Sequence, residues 1–163
     1  VGSEMCIRDR PIARVKQNPR IKIPIIGNGD IDSPQKAKEA FERYGVDGVM
    51  IGRATIGKPW IFEQIKHYLA AGEILPELSV PAQIEIIKEQ ILLSMEWLDE
   101  VRGLFHMRRH MACMFKSLPH FRDLRIQMLQ APTIQELWSV FDQIAERYGS
   151  INFEDRVEEE LNN

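Results

Sequence analysis

Two short glycine-containing turns, at residues 27–30 (GNGD) and 51–53 (IGR), each follow an apolar run and lie about two dozen residues apart. The apolar runs, 23–26 and 46–51, are rich in β-branched residues and short enough to be buried strands. The segment Pro34–Tyr44 between them has the pattern of a helix. A strand, a helix and a second strand form a βαβ unit, so we predict that the two strands are parallel.

The two turns are predicted to bind a phosphate group. Ligands bind at the carboxyl ends of parallel strands, and the loops after the last two strands of (β/α)8 barrels commonly hold a phosphate. Glycine lets the backbone approach an anion, so Gly29 and Gly52 would present their N–H groups. Arg53 adds a guanidinium that can bind phosphate through two hydrogen bonds, and 54–57 is the predicted short helix that completes the site. Either turn alone is also compatible with an ordinary surface turn.

Three segments, 23–31, 48–54 and 57–62, closely resemble the last third of the bacterial tRNA-dihydrouridine synthases, in particular the NifR3-like branch. The resemblance continues through the following helices to about Tyr148. Members of this family are flavoproteins in which an FMN-bearing (β/α)8 barrel carries a C-terminal helical domain, and NADPH-reduced flavin reduces a uridine of tRNA. The resemblance implies that the FMN contacts are Asn28, Gly29, Asp30, Gly52 and Arg53.

The resemblance also implies that the chain is a truncated fragment. Its fold class would be α/β plus all-α: the last two βα units of a TIM barrel followed by a helical bundle. Segment 11–17 would then be the end of the sixth crossover helix, and two strands cannot close an eight-stranded barrel. The family's catalytic cysteine and its flavin-ring contacts come from earlier strands, so no catalytic residue is assigned and the fragment is expected to be inactive. Residues 1–10 resemble translated sequencing-adaptor sequence and are predicted to be a non-native leader.

The chain is predicted to contain a barrel part at 11–72 and a helical part at 82–149, joined by a linker at 73–81. In the barrel part, an amphipathic helix at 60–71 is predicted to end at Gly72.

The helical part is predicted to be an antiparallel bundle of four helices with short loops. Ser79 and Pro81 are residue types typical of the cap and the first turn of its first helix. Thr133 and Glu136 form a predicted capping box at the start of its last helix. The predicted helices span 82–101, 104–116, 121–130 and 134–148, with loops at Gly103, Pro119 and Pro132. The acidic segment 150–163 is predicted to be a frayed helix or a disordered tail.

The stretch 102–125 carries six basic residues and one acidic residue, whereas the whole chain has a net charge of −3. Such a patch attracts nucleic acid through its phosphates, although charge alone is equally compatible with a solvated helix face. The family resemblance favours tRNA as the partner. The predicted RNA-binding residues are Arg102, Arg108, Arg109, His110, Lys116 and Arg125. Three phenylalanines, Phe105, Phe115 and Phe121, interleave with them at a spacing more typical of a core.

No metal site is predicted. His106 and His110 lie four residues apart and could share a metal, but no carboxylate or cysteine partner occurs in an HExxH-like register. Cys113 is compatible with a nucleophile if a base lies nearby, and more typical of a buried, inert thiol.

Composition predicts a globular protein, because 44% of the residues are hydrophobic and 28% are charged. No apolar run approaches the roughly 18 residues of a membrane span. We therefore expect a cytoplasmic protein with no membrane partner, and we expect it to be a monomer.

Three functions remain compatible with the sequence. The favoured one is the C-terminal part of a tRNA-dihydrouridine synthase, with FMN as cofactor, NADPH as reductant and tRNA as partner. The second is a different FMN- or sugar-phosphate-binding (β/α)8 enzyme, which would not explain the basic helical part. The third is a small helical RNA-binding module with an incidental βαβ leader. An open reading frame upstream of residue 11 that encodes the missing βα units would favour the first, and a stop codon there the third.

Overall fold

The computed structural model describes residues 10–151, and the chain divides into two units between Leu75 and Pro76. This division falls inside the predicted linker 73–81. Most of the predicted leader and of the predicted acidic tail, at 1–9 and 152–163, lie outside the described residues. The elements are α1 (Arg10–Lys16), β1 (Ile26–Gly27), α2 (Pro34–Tyr44), β2 (Gly48–Val49), a 3-10 helix (Arg53–Thr55), α3 (Ile61–Ala71), α4 (Val80–Leu98), α5 (Glu100–Met111), α6 (Arg122–Gln130) and α7 (Ile134–Tyr148).

β1 and β2 form a two-stranded parallel sheet, in which Ile26 lies opposite Gly48 and Gly27 lies opposite Val49. Helix α2 connects the strands, so the predicted βαβ unit and its parallel direction are confirmed. Backbone pairing continues just beyond the strands, where Met50 N donates to Gly27 O at 2.8 Å. The two glycine turns therefore begin at the same edge of the sheet.

Both strands are shorter than the predicted runs 23–26 and 46–51. Just before the paired residues, Asp47 N donates to Ile25 O at 2.9 Å, whereas Ile25 N donates to the Asp47 side chain, to Oδ2 at 2.8 Å, instead of to a backbone carbonyl. Asp47 also accepts from Lys16 Nζ at 2.5 Å. The bond from Lys16, together with that from Ile25, lowers the pKa of the Asp47 carboxyl. This carboxylate joins α1 to the start of the parallel pair.

Helix α2 has the predicted bounds, and both of its ends follow from the sequence. Ser33 Oγ accepts from Lys36 N at 3.3 Å at the start, and Gly45 ends the helix with a left-handed φ of 63°. Helix α3 begins one residue later than predicted and ends at Gly72, whose φ is 76°. The core of this unit consists of Ile31, Ala37, Ala40, Val46, Ile61 and Ile65.

Helices α4 and α5 are connected by a single residue, Asp99, which has a φ of 97°. Its N–H donates to Met95 O at 2.9 Å at the end of α4, and its carboxylate accepts from Arg102 N at 2.9 Å at the start of α5. Helix α4 begins at Val80 after the predicted Ser79 cap. The predicted helix end at 101 is wrong, because α4 ends three residues earlier, at Leu98, and Asp99 makes the turn.

The predicted loop at Gly103 is also wrong, because Gly103 lies inside α5 on its buried face. A Cβ atom at Gly103 would be 2.5 Å from Met95 Cα and 2.6 Å from Met95 N. The glycine therefore allows the backbones of α4 and α5 to approach closely, instead of making a turn.

The predicted helix 104–116 ends at Met111, and an irregular connection leads to α6. Phe115 and His120 have φ values of 56° and 51°, which a right-handed helix does not contain. Phe115 is buried and its ring lies 5.5 Å from that of Phe121, edge to face. Tyr148 OH donates to Pro119 O at 2.8 Å, which ties the end of α7 to this connection. Aromatic packing thus holds the connection in place of helical hydrogen bonds.

Helix α7 has the predicted bounds, and one half of the predicted capping box forms. Thr133 Oγ1 accepts from Glu136 N at 3.3 Å, whereas the Glu136 carboxylate accepts from the Thr133 hydroxyl at 3.2 Å and not from its backbone N–H. In this unit α4 packs against α5 and α7, and α6 packs against the same two helices. The largest fully buried side chains here are Ile87, Ile91, Met111, Met114, Met128, Leu137, Phe141 and Ile144. None of the helices between residues 10 and 151 has the length and apolarity that a bilayer crossing requires.

Candidate functional site

Side chains join the two glycine turns at the ends of β1 and β2. Asp30, in the first turn, accepts a hydrogen bond from the guanidinium of Arg53 in the second turn. Asn28 Nδ2 lies 3.7 Å from Sδ of Met50, the residue just before the second turn. Residues that the sequence predicted from two separate turns therefore lie together at the carboxyl ends of parallel strands, as expected for a ligand site in an α/β protein. We call this group, Asn28 to Asp30 with Gly52 and Arg53, the cradle.

The surface beside the second turn of the cradle is open. A Cβ atom at Gly52 would meet no atom within 4 Å, and the side chains of Arg53 and Asp30 are 81% and 73% exposed. Thr55 N and Thr55 Oγ1 both donate to Gly52 O, at 3.0 and 2.8 Å. The first N–H groups of this turn have no earlier carbonyl of the same turn to which they could donate. They are therefore available to a ligand.

The short helix predicted at 54–57 is found as the 3-10 helix Arg53–Thr55. Gly57 follows it with a φ of 78°, a conformation that cannot continue a right-handed helix. The difference matters for the cradle, because Arg53 becomes the first residue of the helix. Its side chain and the first backbone N–H groups then lie at the same end of the helix.

The chemistry of the cradle suits a phosphate ester that carries hydroxyl groups. The Arg53 guanidinium can donate two parallel hydrogen bonds to phosphate oxygens. The Asp30 carboxylate and the Asn28 amide are suited to hydroxyl groups, since a carboxylate only accepts hydrogen bonds and an amide both donates and accepts. The space beside Gly52 leaves room for such a group next to the backbone. These residues therefore suit a phosphorylated ligand that also carries hydroxyl groups.

The structure divides the arginine and lysine residues predicted to bind RNA into two groups, and the side chains of the first group bond to residues at helix ends. Arg108 Nη2 donates to Ala131 O at 3.2 Å, just after α6, and Arg125 Nη2 donates to Ala112 O at 2.9 Å, just after α5. These bonds place positive charge at helix C-termini, where the last carbonyls lack partners. Arg102 Nε pairs with Asp99 Oδ2 at 2.6 Å. The hydrogen bonds from Arg102 lower the pKa of the Asp99 carboxyl, and the bond from the Arg102 backbone N–H has the largest effect.

The second group consists of Arg109 and Lys116, which are exposed. Neither forms an ion pair or a hydrogen bond with any residue in the range 10–151. Arg122, at the first position of α6, has the same property. These three cations are accordingly available to an anionic partner.

His110 differs from the other predicted RNA-binding residues, because it is half-buried and Nδ1 has no hydrogen-bond partner in the described part of the chain. Burial, and then the neighbouring His106 and Arg109, lower the pKa of the imidazole below its ordinary value of 6.5. Burial therefore favours the neutral form of the ring. Its ring centroid lies 6.2 Å from that of His106, and no group of three or more metal-ligating side chains occurs among the described residues.

The sequence placed Phe105 with the core phenylalanines, and the structure corrects this. Phe115 and Phe121 are buried, whereas Phe105 is 57% exposed. The guanidinium carbon of Arg108 lies 4.0 Å from the centroid of the Phe105 ring. Helical periodicity contains the signal that was missed: Gly103, Leu104, Met107 and Met111 define the buried face of α5, and Phe105 lies off that face. Cys113 is half-buried and forms no disulfide.

Comparison with protein families and with curated proteins gives matches over most of the chain. The profile of the dihydrouridine synthase (Dus) family matches residues 4–148, a range that begins inside the predicted leader 1–10. A probable tRNA-dihydrouridine synthase from Rickettsia bellii is 38% identical over 133 residues, which cover 80% of this chain and 39% of that protein. The tRNA-dihydrouridine synthase B of Pseudomonas aeruginosa is 41% identical over 116 residues, covering 71% of this chain and 34% of that protein.

A third relative, a probable tRNA-dihydrouridine synthase from Rickettsia conorii, is 35% identical over 150 residues, covering 91% of this chain and 43% of that protein. The chain thus spans about two fifths of the length of the curated relatives that it matches. Its matched region includes both the cradle and the exposed cations of the helical unit. On this evidence the chain belongs to the dihydrouridine synthase family.

Proposed function

We propose that the chain forms part of a flavin-dependent tRNA-dihydrouridine synthase, which reduces uridine to 5,6-dihydrouridine in tRNA. The observation that carries the proposal is the family match, because it extends over residues 4–148 and so includes both the glycine turns and the helical unit. The chain would supply the last two βα units of a (β/α)8 barrel and the helical domain that follows them. Because such a barrel needs eight strands, the chain by itself is proposed to be inactive.

FMN is the proposed cofactor, and the cradle is its proposed phosphate and ribityl site. Arg53 would bind the phosphate oxygens, and the N–H groups of Gly29 and Gly52 would donate to them. Asn28 and Asp30 would bind ribityl hydroxyl groups. The open space beside Gly52 and the exposed Arg53 guanidinium support this assignment. FMN reduced by NADPH would supply the hydride, and a proton donor from the earlier strands of the barrel would complete the saturation of the uracil ring.

The proposed partner is tRNA, and the proposed contact surface is the basic side of the helical unit. Arg109 and Lys116 would bind phosphates directly, because no described residue pairs with them. Arg102, Arg108 and Arg125 would add positive charge while they hold helix ends in place. The target uridine must leave the base stack, since a flavin cannot reach a stacked base. Action on tRNA implies a cytoplasmic location, and we propose a monomer that needs no metal.

The test is to recover the reading frame upstream of residue 11 and to assay the encoded protein for NADPH-dependent dihydrouridine formation in unmodified tRNA. We expect product from the longer protein and none from the 163-residue chain. Arg53→Ala should weaken FMN binding by about 10- to 100-fold, because charge-assisted hydrogen bonds to the phosphate are lost. FMN binding is followed separately through the quenching of flavin fluorescence.

Arg20→Ala is the matched control, since Arg20 is an exposed arginine of the same unit outside the cradle. Riboflavin provides a second control: it lacks the phosphate, so its binding should be equal in the Arg53→Ala variant and in the unchanged protein. A longer protein that binds FMN but leaves tRNA uridine unreduced would contradict the proposed reaction. Equal FMN binding by the Arg53→Ala and Arg20→Ala variants would contradict the proposed cradle.

A further inference from the structure

We propose that the outward side of α5 is a stacking platform for an unpaired nucleobase of RNA, formed by the Phe105 ring and the Arg108 guanidinium. The inference rests on the proposed function in so far as RNA is the partner, and it adds the kind of contact that the partner makes. It predicts a preference for single-stranded over duplex RNA, which phosphate contacts alone do not give.

The Phe105 ring is exposed and is nevertheless held in a defined orientation. The guanidinium carbon of Arg108 lies 4.0 Å from the ring centroid, the geometry of a cation–π contact. Arg108 Nη2 also donates to Ala131 O at 3.2 Å, so the guanidinium is fixed by the backbone that follows α6. Arg108 covers one side of the ring, and the side chain is still 57% exposed. A base that stacks on the remaining side would therefore meet an ordered surface.

Charge around the ring favours a nucleic acid over an apolar protein as the occupant. No acidic residue occurs between Val101 and Arg122 in the sequence. Arg102 lies three residues before Phe105 and Arg109 lies four residues after it, so both side chains are on the same side of the helix as the ring. Arg102 is paired with Asp99. Arg109 has no ion-pair partner among residues 10–151. An aromatic face between arginines matches a base with its flanking phosphates.

Further exposed apolar residues lie in the same hairpin of α4 and α5. Val101 is exposed one helical turn before Phe105, and Trp97, near the end of α4, is 86% exposed. A protein partner or a second copy of the chain would also bury these side chains. Such an occupant is a distinct outcome of the experiment, because it would leave RNA binding independent of the ring at position 105.

The experiment measures binding of the complete 163-residue chain to two labelled RNAs by fluorescence anisotropy. One probe is an unstructured single strand of about 12 nucleotides, and the other is a duplex of equal length. Phe105→Leu keeps an apolar side chain but removes the ring, and Phe105→Tyr keeps the ring. We expect Phe105→Leu to weaken single-strand binding by about 5- to 150-fold and to change duplex binding by less than about twofold. Phe105→Tyr should retain both affinities.

Leu92→Ala serves as the matched control, because Leu92 is an exposed apolar residue of α4. A single strand that contains 2-aminopurine gives an independent signal: its fluorescence should be quenched on binding to the unchanged chain and less so on binding to Phe105→Leu. Equal weakening of both RNAs by Phe105→Leu, or no weakening, would overturn the platform. A change of oligomeric state in Phe105→Leu, without a change in RNA affinity, would also overturn it and assign the surface to a second copy.

The two proposals fail in different ways. If Arg109→Ala weakens both RNAs while Phe105→Leu weakens neither, the platform is wrong and the RNA partner stands. If the unchanged chain binds neither RNA, both the platform and the proposed RNA contact of the helical unit are wrong.

Discussion

Gly103 occupies the point at which the backbones of α4 and α5 come closest. A glycine within a helix is less stable than alanine by about 0.5–1 kcal/mol, so its presence there needs a compensating interaction. The compensation is visible in the position of Met95, whose backbone atoms fill the space that a Cβ at Gly103 would occupy. One missing methyl group thus determines how closely two helices pack.

We predict that Gly103→Ala lowers the free energy of unfolding by about 1–3 kcal/mol, even though alanine is the better helix former. The added Cβ would overlap Met95 backbone atoms, and a backbone cannot move aside as the end of a side chain can. Chemical denaturation followed by far-ultraviolet circular dichroism measures the effect. Val101→Ala, at an exposed position of the same helix, is expected to change stability by less than about 0.5 kcal/mol. Equal stability of the two variants would contradict the role given to Gly103.

Single residues also show where sequence reasoning about the site ends. The proximity of the cradle residues Asp30 and Arg53 could be predicted, because the turns that follow two parallel strands lie at the same edge of the sheet. The bond between their side chains could not be foreseen, since it depends on rotamers. Phe105 was grouped with the core phenylalanines because the position of the buried face of α5 was not known. That face is set by the contact at Gly103, which the sequence suggested was a loop.

At the scale of the element, the bounds of helices with recognisable capping residues in the sequence were predicted best. Helix α2 lies between Ser33 and Gly45, and helix α7 begins after Thr133, so their bounds matched. Helix α5 was predicted less well, because its start depends on Asp99 with a positive φ and its end on the packing of Phe115. The strands were predicted too long because the run of apolar residues does not show where regular backbone pairing ends; Ile25 N, for example, bonds to the side chain of Asp47 and not to a backbone carbonyl.

We expect Thr133→Ala to lower the free energy of unfolding by about 1 kcal/mol, because the cap that accepts from Glu136 N is lost. Thr133→Ser keeps the hydroxyl and should lose only a few tenths of a kcal/mol. Thermal and denaturant unfolding of both variants measure the difference. If alanine and serine at position 133 gave the same stability, the hydroxyl would not be acting as a cap.

At the scale of the whole molecule, the three groups with shifted pKa values in the described part of the chain all respond to acid in the same direction. The pKa values of Asp47, Asp99 and His110 are each lower in the folded chain than their ordinary values of 3.8, 3.8 and 6.5. The unfolded chain therefore takes up these protons at a higher pH than the folded chain does. Each group contributes its stabilisation fully above the ordinary pKa, and that contribution is lost as the pH falls through the folded pKa.

We predict that stability falls in two steps on acidification, the first below the ordinary histidine pKa of 6.5 and the second below the ordinary aspartate pKa of 3.8. His110→Gln should remove the first step, because glutamine cannot be protonated. Denaturant midpoints measured between about pH 7.5 and about pH 5 test this. Asp99→Asn is the control, since it should leave the first step unchanged. The same loss of stability in the His110→Gln variant and the unchanged chain would contradict the assignment.

The single-residue connection at Asp99 limits which sequence changes the hairpin of α4 and α5 can accommodate. Because successive residues of an α-helix are separated by about 100° of rotation, one inserted residue at this point would turn α5 by that angle relative to α4. Phe105 and Arg109 would then leave the outward side, and a residue with a side chain would replace Gly103 against Met95. If the proposed stacking platform binds RNA, its preference can therefore change at this hairpin by substitution but not by a change of length.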